Sequence, residues 1–181
     1  MTDRDRILAD LPDPTNEATI GSTIPLAASH QASDPWTTFH ERFKALGGEI
    51  IGFDQVHTVA QKFFIDKGVP QSVQETLMEL TQNVWDAEAG ITVADLAIAE
   101  TGSFLISAKP GASRLASLAP PVHIVLLDAK NLVKTLEQAF CRMPAETCVI
   151  VTGPSRTADI EGVLVRGVHG PKRVIVALMP P

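Results

Sequence analysis

Apolar residues recur with two different periods along this chain, and the change falls near its middle. From about residue 34 to residue 80 they repeat at helical spacing. Trp36, Phe39, Phe43 and Leu46 share one helical face, and the pair Gly47-Gly48 stops the helix. Asp34-Pro35 sets its start, because proline's fixed φ suits a first turn. A short extended run follows at 49–53. Val56, Val59, Ala60, Phe63 and Phe64 predict a second amphipathic helix closed at Gly68. Val73, Leu77 and Leu80 predict a third. The aromatic residues of these helices read as core rather than as cofactor contacts.

From residue 90 onward the pattern changes. Thr92 and Asp95 have capping-box-like spacing and predict a brief helical turn. Apolar stretches at 96–99 and 104–107 then flank Glu-Thr-Gly-Ser. These form a predicted hairpin in which Gly102 supplies the positive φ. Its tip sets a carboxylate and two hydroxyls between two apolar strands. Continuous apolar runs at Val122–Leu127, Cys148–Val151 and 174–178 alternate with helical segments. One such segment is marked by Leu132, Leu136 and Phe140, and the other is a crossover within 151–171. Unbroken apolar runs of this kind are buried on both faces. The fold class is therefore α/β, a mainly parallel sheet with helices on both faces and right-handed crossovers. Residues 1–34 show little periodicity and read as a flexible N-terminal arm, with one folded domain over 35–181.

The crossover, VTGPSRTADIEGVLVRGVHGP, carries more chemistry than a connection needs. Read as strand, loop and helix, it places 153–157 at the carboxyl edge of the sheet, where open α/β sheets bind ligands. Ser155 or Thr157 caps the helix, Asp159 suits its first turn, and Arg156 adds a positive fork beside unpaired N–H groups. A small carboxylate or phosphate fits such a place; ordinary helix capping accounts for the same residues. The stretch is neither a P-loop nor Gly-x-Gly-x-x-Gly. Gly153-Pro154-Ser155-Arg156-Thr157 is like a nucleophile elbow, but threonine replaces its last glycine. Asp159 also lies too close in sequence to serve as a normal triad acid. A helix over this crossover sets His169 about 15 Å from the loop, by its rise.

Composition narrows the function. The chain has 181 residues, 45% of them hydrophobic, enough for one sizeable core. No apolar run approaches the length of a membrane span. The start, MTDRDRILADLPDP, is charged and does not read as a signal peptide, so the protein reads as cytoplasmic. Cys141 and Cys148 supply neither a disulfide framework nor the thiolates of a cluster or zinc site. Residues 1–100 carry 16 acids and 6 bases (−10), and 101–181 carry 5 acids and 9 bases (+4). An acidic chain with few aromatic residues argues against nucleic acid. The local positive excess suits a small anion.

Three segments together are similar to the lactate utilization protein C family, which carries the LUD domain: AIAETGSFLI at 97–106, RLASLAPPVHIVL at 114–126, and the crossover at 151–171. They arrive in the family's order and cover most of the chain from about Ile91. The resemblance implies a NagB/RpiA/CoA-transferase-like fold. It also implies a part in oxidising L-lactate to pyruvate, in a three-protein system whose iron–sulfur clusters reside in partner subunits, with no cofactor in this chain. Whether the chain itself performs a chemical step within that dehydrogenase complex stays open, as does homo-oligomerisation.

The family pattern gathers Glu100, Asp159 and His169 as candidate catalytic groups. Thr101, Gly102, Ser103, Arg114, Gly153, Ser155, Arg156 and Thr157 are the candidate ligand-binding groups, and no metal site is expected. His123, at the start of an apolar strand, reads as a hydrogen-bonded structural histidine. Two alternatives remain. One is a stand-alone enzyme of the fold group, a sugar-phosphate isomerase, acyl-CoA transferase or ligase, with Glu100 as base or nucleophile. The other is a purely structural assembly subunit.

Overall fold

The computed structural model describes residues 34–107, 114–143, 147–158 and 164–179. Its centre is a six-stranded sheet in which every neighbouring pair is parallel. The strands are β1 (Glu49–Gly52), β2 (Lys62–Ile65), β3 (Glu79–Leu80), β4 (Ala89–Val93), β7 (Val122–Leu127) and β12 (Arg173–Leu178), in spatial order β1-β12-β7-β4-β2-β3. A second sheet runs β8-β5-β6-β9, built from β5 (Leu96–Ile98), β6 (Ser103–Ser107), β8 (Leu132–Val133) and β9 (Cys148–Val151). The short strands β10 (Arg156–Ala158) and β11 (Leu164–Arg166) form a separate antiparallel ribbon. Among the described residues the α-helices are α1 (Pro35–Ala45), α2 (Gln71–Gln74), α3 (Leu115–Leu118) and α4 (Leu136–Arg142).

Alternation along the central strands divides the core. Ile91, Ile124, Leu126, Ile175 and Ala177 point to one face, where Val56, Val69, Val73 and Leu77 cover them. Val125, Leu127, Val174 and Val176 point to the other, onto Phe39 and Phe43 of α1 and Ala97 and Phe104 of the second sheet. The far side of that second sheet, through Leu96, Ile98 and Leu105, packs Val133 and Ala139. Gly90 faces the α1 side, and a Cβ there would overlap the Ala116 carbonyl of α3. Glycine at this position lets α3 lie directly on the sheet.

Helix α1 forms as its pattern predicts. Asp34 accepts from the Thr37 N–H at 3.1 Å, Pro35 opens the first turn, and Gly47 takes φ +86° beyond the last. The Glu-Thr-Gly-Ser hairpin also holds, with β5 and β6 antiparallel and Gly102 at φ +63°.

Four local expectations are corrected. Residues 53–58 make a 3-10 turn and 62–65 a strand, where a second long helix is predicted. The phenylalanines serve both faces of β2, a demand that helical spacing cannot be told apart from in so short a run. The third predicted helix shrinks to α2, followed by β3. Thr92 lies within β4, not in a helical turn, and Asp95 accepts the Ser107 N–H across the second sheet. Leu132 is in β8, so the helix there begins only after Thr135, whose side chain caps it.

The largest correction concerns the crossover. Among the described residues no helix follows 153–157: Arg156, Thr157 and Ala158 are a strand paired with Arg166, Val165 and Leu164. β9 is not a strand of the parallel sheet but pairs antiparallel with β6. Its loop lies at the amino edge of the central sheet, not the carboxyl edge. The Ser155 N–H donates to the Pro171 carbonyl (2.9 Å) just before β12, and the Lys172 N–H to the Pro121 carbonyl (2.8 Å) just before β7. Asp159 and Glu161 lie outside the described residues.

Candidate functional site

The end of α1 is where Gly102, Gly153 and Arg156, three of the sequence-predicted groups, meet. Three glycines permit it. A Cβ at Gly102 would sit 2.6 Å from the Phe43 nitrogen, and one at Gly153 (φ +94°) would sit 3.3 Å from Leu46. One at Gly47 would lie 3.2 Å from Arg156 Nη2 and 3.4 Å from Arg166 Nη1. The hairpin tip and the β9–β10 loop are thus both pressed against the last turn of α1. Ser103 Oγ, buried, shares a hydrogen bond with Thr152 Oγ1 at 2.9 Å and ties the two pieces together. Thr101 Oγ1 is buried with no hydrogen-bond partner among the described residues.

Arg156 donates to the Leu46 carbonyl, the C-cap of α1. A cation suits that place, since helix C-termini carry negative partial charge and unpaired carbonyls. The predicted cap at a helix N-terminus is therefore replaced by the reverse arrangement, an arginine serving a helix C-terminus. Arg166 stands directly opposite Arg156 on the ribbon. Like charges facing each other across strands repel. Neither guanidinium has an ion-pair partner among the described residues, so the pair leaves a positive spot at this edge.

Glu100 stands apart. Its carboxylate accepts the Leu136 N–H, the first of α4, at 3.0 Å, while its side chain remains exposed. Removing the predicted crossover helix also moves His169. The turn at 167–170 packs beside Ser155: the Gly167 N–H donates to the Ser155 carbonyl (2.9 Å), and a Cβ at Gly170 would lie 3.1 Å from Ser155 Cβ. His169 and the 153–157 loop therefore share one edge. Thr157 pairs with Val165 on the ribbon.

His169 lines an open cleft of about 400 Å³ with Trp85, Leu118, Val168 and Lys172. Arg114 precedes α3, whose Leu115 and Leu118 form one wall. Trp85, Leu118, Lys172 and Arg166 were not singled out by sequence. A β-branched run after Gly162 was the available signal for β11, while nothing local marks Trp85 as exposed.

His123 is enclosed between Gly90 and Val174 in the central sheet. Its Nε2 lies 2.9 Å from Thr92 Oγ1, Nδ1 has no partner among the described residues, and burial pushes its pKa down to about 3. It is a neutral, structural imidazole, as expected from sequence. At the amino end of β1, Arg173 forms a two-pronged ion pair with Glu49 (2.8 and 2.7 Å). The Arg173 guanidinium holds that carboxyl below its usual range.

An iron–sulfur cluster does not fit this chain's donor set. Its two cysteines, Cys141 on α4 and Cys148 on β9, are too few for a four-thiolate site. Among the described residues no three His, Cys, Asp or Glu side chains gather to hold a metal ion. No described helix is long and apolar enough to cross a membrane.

Fold and site define an α/β domain with a fully parallel central sheet, a hairpin-built second sheet on one face, and Arg156, Arg166, Lys172 and Arg173 at the amino edge. The LUD domain profile matches residues 37–179, and the chain belongs to that family. It is 33% identical over 140 residues to a lactate utilization protein C of Macrococcus caseolyticus, covering 68% of this chain and 58% of that one. A lactate utilization protein C of an Exiguobacterium strain is 37% identical over 102 residues, covering 51% and 44%. An uncharacterized protein of Neisseria meningitidis is 34% identical over 108 residues, covering 55% and 46%. The chain thus spans about half the length of the curated relatives it matches. In three dimensions it is similar to a DUF162 family protein of Deinococcus radiodurans: TM-score 0.59, 18% identity, 81% of this chain and 96% of that one. That likeness concerns the fold.

Proposed function

We propose that this LUD domain is the non-cluster component of a cytoplasmic system that oxidises L-lactate to pyruvate, working beside iron–sulfur partner proteins. The observation that carries this reading is its similarity to proteins named lactate utilization protein C. Its own contribution is to hold a small carboxylate between Arg156 and Arg166. Two guanidinium groups facing each other without a described counter-ion are stabilised by an anion, and a carboxylate accepts from both in a fork geometry. The alternative of a stand-alone enzyme built on Glu100 is less favoured, because that carboxylate is engaged with the first N–H of α4.

Two measurements test the reading separately. The full chain should co-purify with the iron–sulfur proteins of a lactate operon, and its deletion should abolish growth on L-lactate; unimpaired growth would refute the system role. Calorimetric titration with L-lactate and pyruvate tests the carboxylate. Arg166→Ala should weaken binding about tenfold or more, the worth of one charge-assisted contact. Equal affinity in variant and parent, or no binding by either, would refute the arginine pair.

A further inference from the structure

The cleft at the amino edge is not used by the carboxylate reading, and its walls are unusual. Trp85 is 74% exposed, Val168 53% and Leu118 48%, all around one depression. Isolated exposed apolar residues are ordinary, whereas a contiguous group rimmed by charge marks an interaction surface. The elements that hold these walls are firm. α3 rests on Gly90, and Trp85 follows Asn83, whose side chain accepts the Trp85 N–H at 3.2 Å.

The charge at this cleft has one sign. Lys172 is its one charged lining residue, and no carboxylate lines it among the described residues. The Lys172 stem lies across Gly167 (φ +72°), where any Cβ would overlap it. Exposed Arg114 adjoins the lining residue Leu115 in sequence. Of the nearby acids, Glu49 is paired with Arg173, while exposed Asp86, next to the lining residue Trp85 in sequence, is held by the Asn83 side chain (2.9 Å). Openness argues against a small molecule, because such sites enclose roughly 70–90% of their ligand. A volume near 400 Å³ instead takes one or two large side chains from a partner's surface.

We propose that this cleft docks an acidic segment of a partner protein, with a bulky apolar side chain seated against Trp85, Leu118 and Val168 and flanking carboxylates meeting Lys172 and Arg114. The apolar anchor supplies affinity, and the cations set orientation and rate of encounter. The site does not depend on lactate or on the Arg156–Arg166 pair.

Selection of a random dodecapeptide phage library on the full-length chain tests this directly. Enriched peptides should combine at least two Asp or Glu residues with Trp, Phe or Leu. A fluorescein-labelled synthetic peptide of that sequence should bind with an affinity that falls as salt rises. Trp85→Ala should weaken it about thirtyfold, as a central aromatic anchor does. Leu118→Asp and Lys172→Glu should weaken it too, with unchanged melting temperatures because all three side chains are exposed. Peptide binding should also shift the emission of Trp85, a signal lost in Trp85→Phe while Trp36 still reports the folded core. Neutral or basic selected peptides, no enrichment, or enrichment indifferent to Leu118→Asp would overturn the proposal. So would a concentration-dependent dimer broken by Leu118→Asp, which would assign the cleft to a second copy of this chain. Carboxylate titration of the Leu118→Asp protein should match the parent, so failure here leaves the lactate reading intact and the reverse also holds.

Discussion

Mild acid should destabilise this protein through a single side chain. His123 is fully buried in β7, one of the two central strands of the parallel sheet, with Phe104 6.0 Å from its ring and its Nε2 bonded to Thr92. No acidic partner favours its cation, so burial alone lowers its pKa from 6.5 to about 3. The sign follows from proton uptake. Between those values the unfolded chain binds a proton that the folded chain does not, so stability falls as pH falls through 6.5 toward 3.

Taking these two pKa values, the loss from pH 7.5 to pH 5 is about 2 kcal/mol. For a domain of this size that corresponds to roughly 4–8 °C in melting temperature. Urea unfolding of the parent and of His123→Leu, each at pH 7.5, 6.5, 5.5 and 5.0, isolates the effect. The variant carries an offset, because it leaves the Thr92 hydroxyl unpaired, at about 1–3 kcal/mol. That offset does not vary with pH, so only the slope is diagnostic. Parallel pH profiles for the two proteins would show that His123 titrates normally, and would refute the enclosed neutral imidazole.

Other perturbations follow from particular contacts. Gly102→Ala places a Cβ 2.6 Å from the Phe43 nitrogen at φ +63°, and should cost about 2 kcal/mol or more in denaturant unfolding; a loss under about 0.5 kcal/mol would mean the hairpin does not press on α1. Glu100→Ala should lower stability by about 1 kcal/mol through loss of its bond to the first N–H of α4, which Thr135 still caps, while growth on lactate persists, whereas abolished growth at normal stability would restore Glu100 as a reacting group. The ion pair of Glu49 with Arg173 is half-exposed and should contribute within about 1 kcal/mol. Because Arg173 lowers the Glu49 pKa from 4.5, that contribution is present above 4.5 and lost as pH falls through the lower folded value. The unfolding midpoints of parent and Glu49→Gln should therefore converge in acid, and a gap that persists once Glu49 is protonated would contradict the pairing.

Local signals were enough for α1, the Gly102 hairpin, and the buried strands β7 and β12. Each is specified within a few residues: Pro35 and Gly47 bound the helix, Gly102 permits the turn, and unbroken apolar runs mark strands covered on both faces. The structural role of His123 was legible for the same reason, since it sits inside such a run. What the sequence left undetermined was which partner buries each apolar face. Residues 56–65 have helical spacing, yet Phe63 and Phe64 point to opposite sides of β2, and only the neighbouring β4 decides that they form a strand. Apolar β9 looks like the next parallel strand, but β6 claims it in the second sheet. Once β9 leaves the central sheet, no crossover helix is required, and 156–158 pair with 164–166 in a ribbon that carries Arg156 to the C-terminus of α1 and His169 to Ser155's edge. Periodicity records how many faces of a segment are apolar. Tertiary packing chooses which surfaces cover those faces, and with them the edge of the sheet at which Arg156 and Arg166 meet.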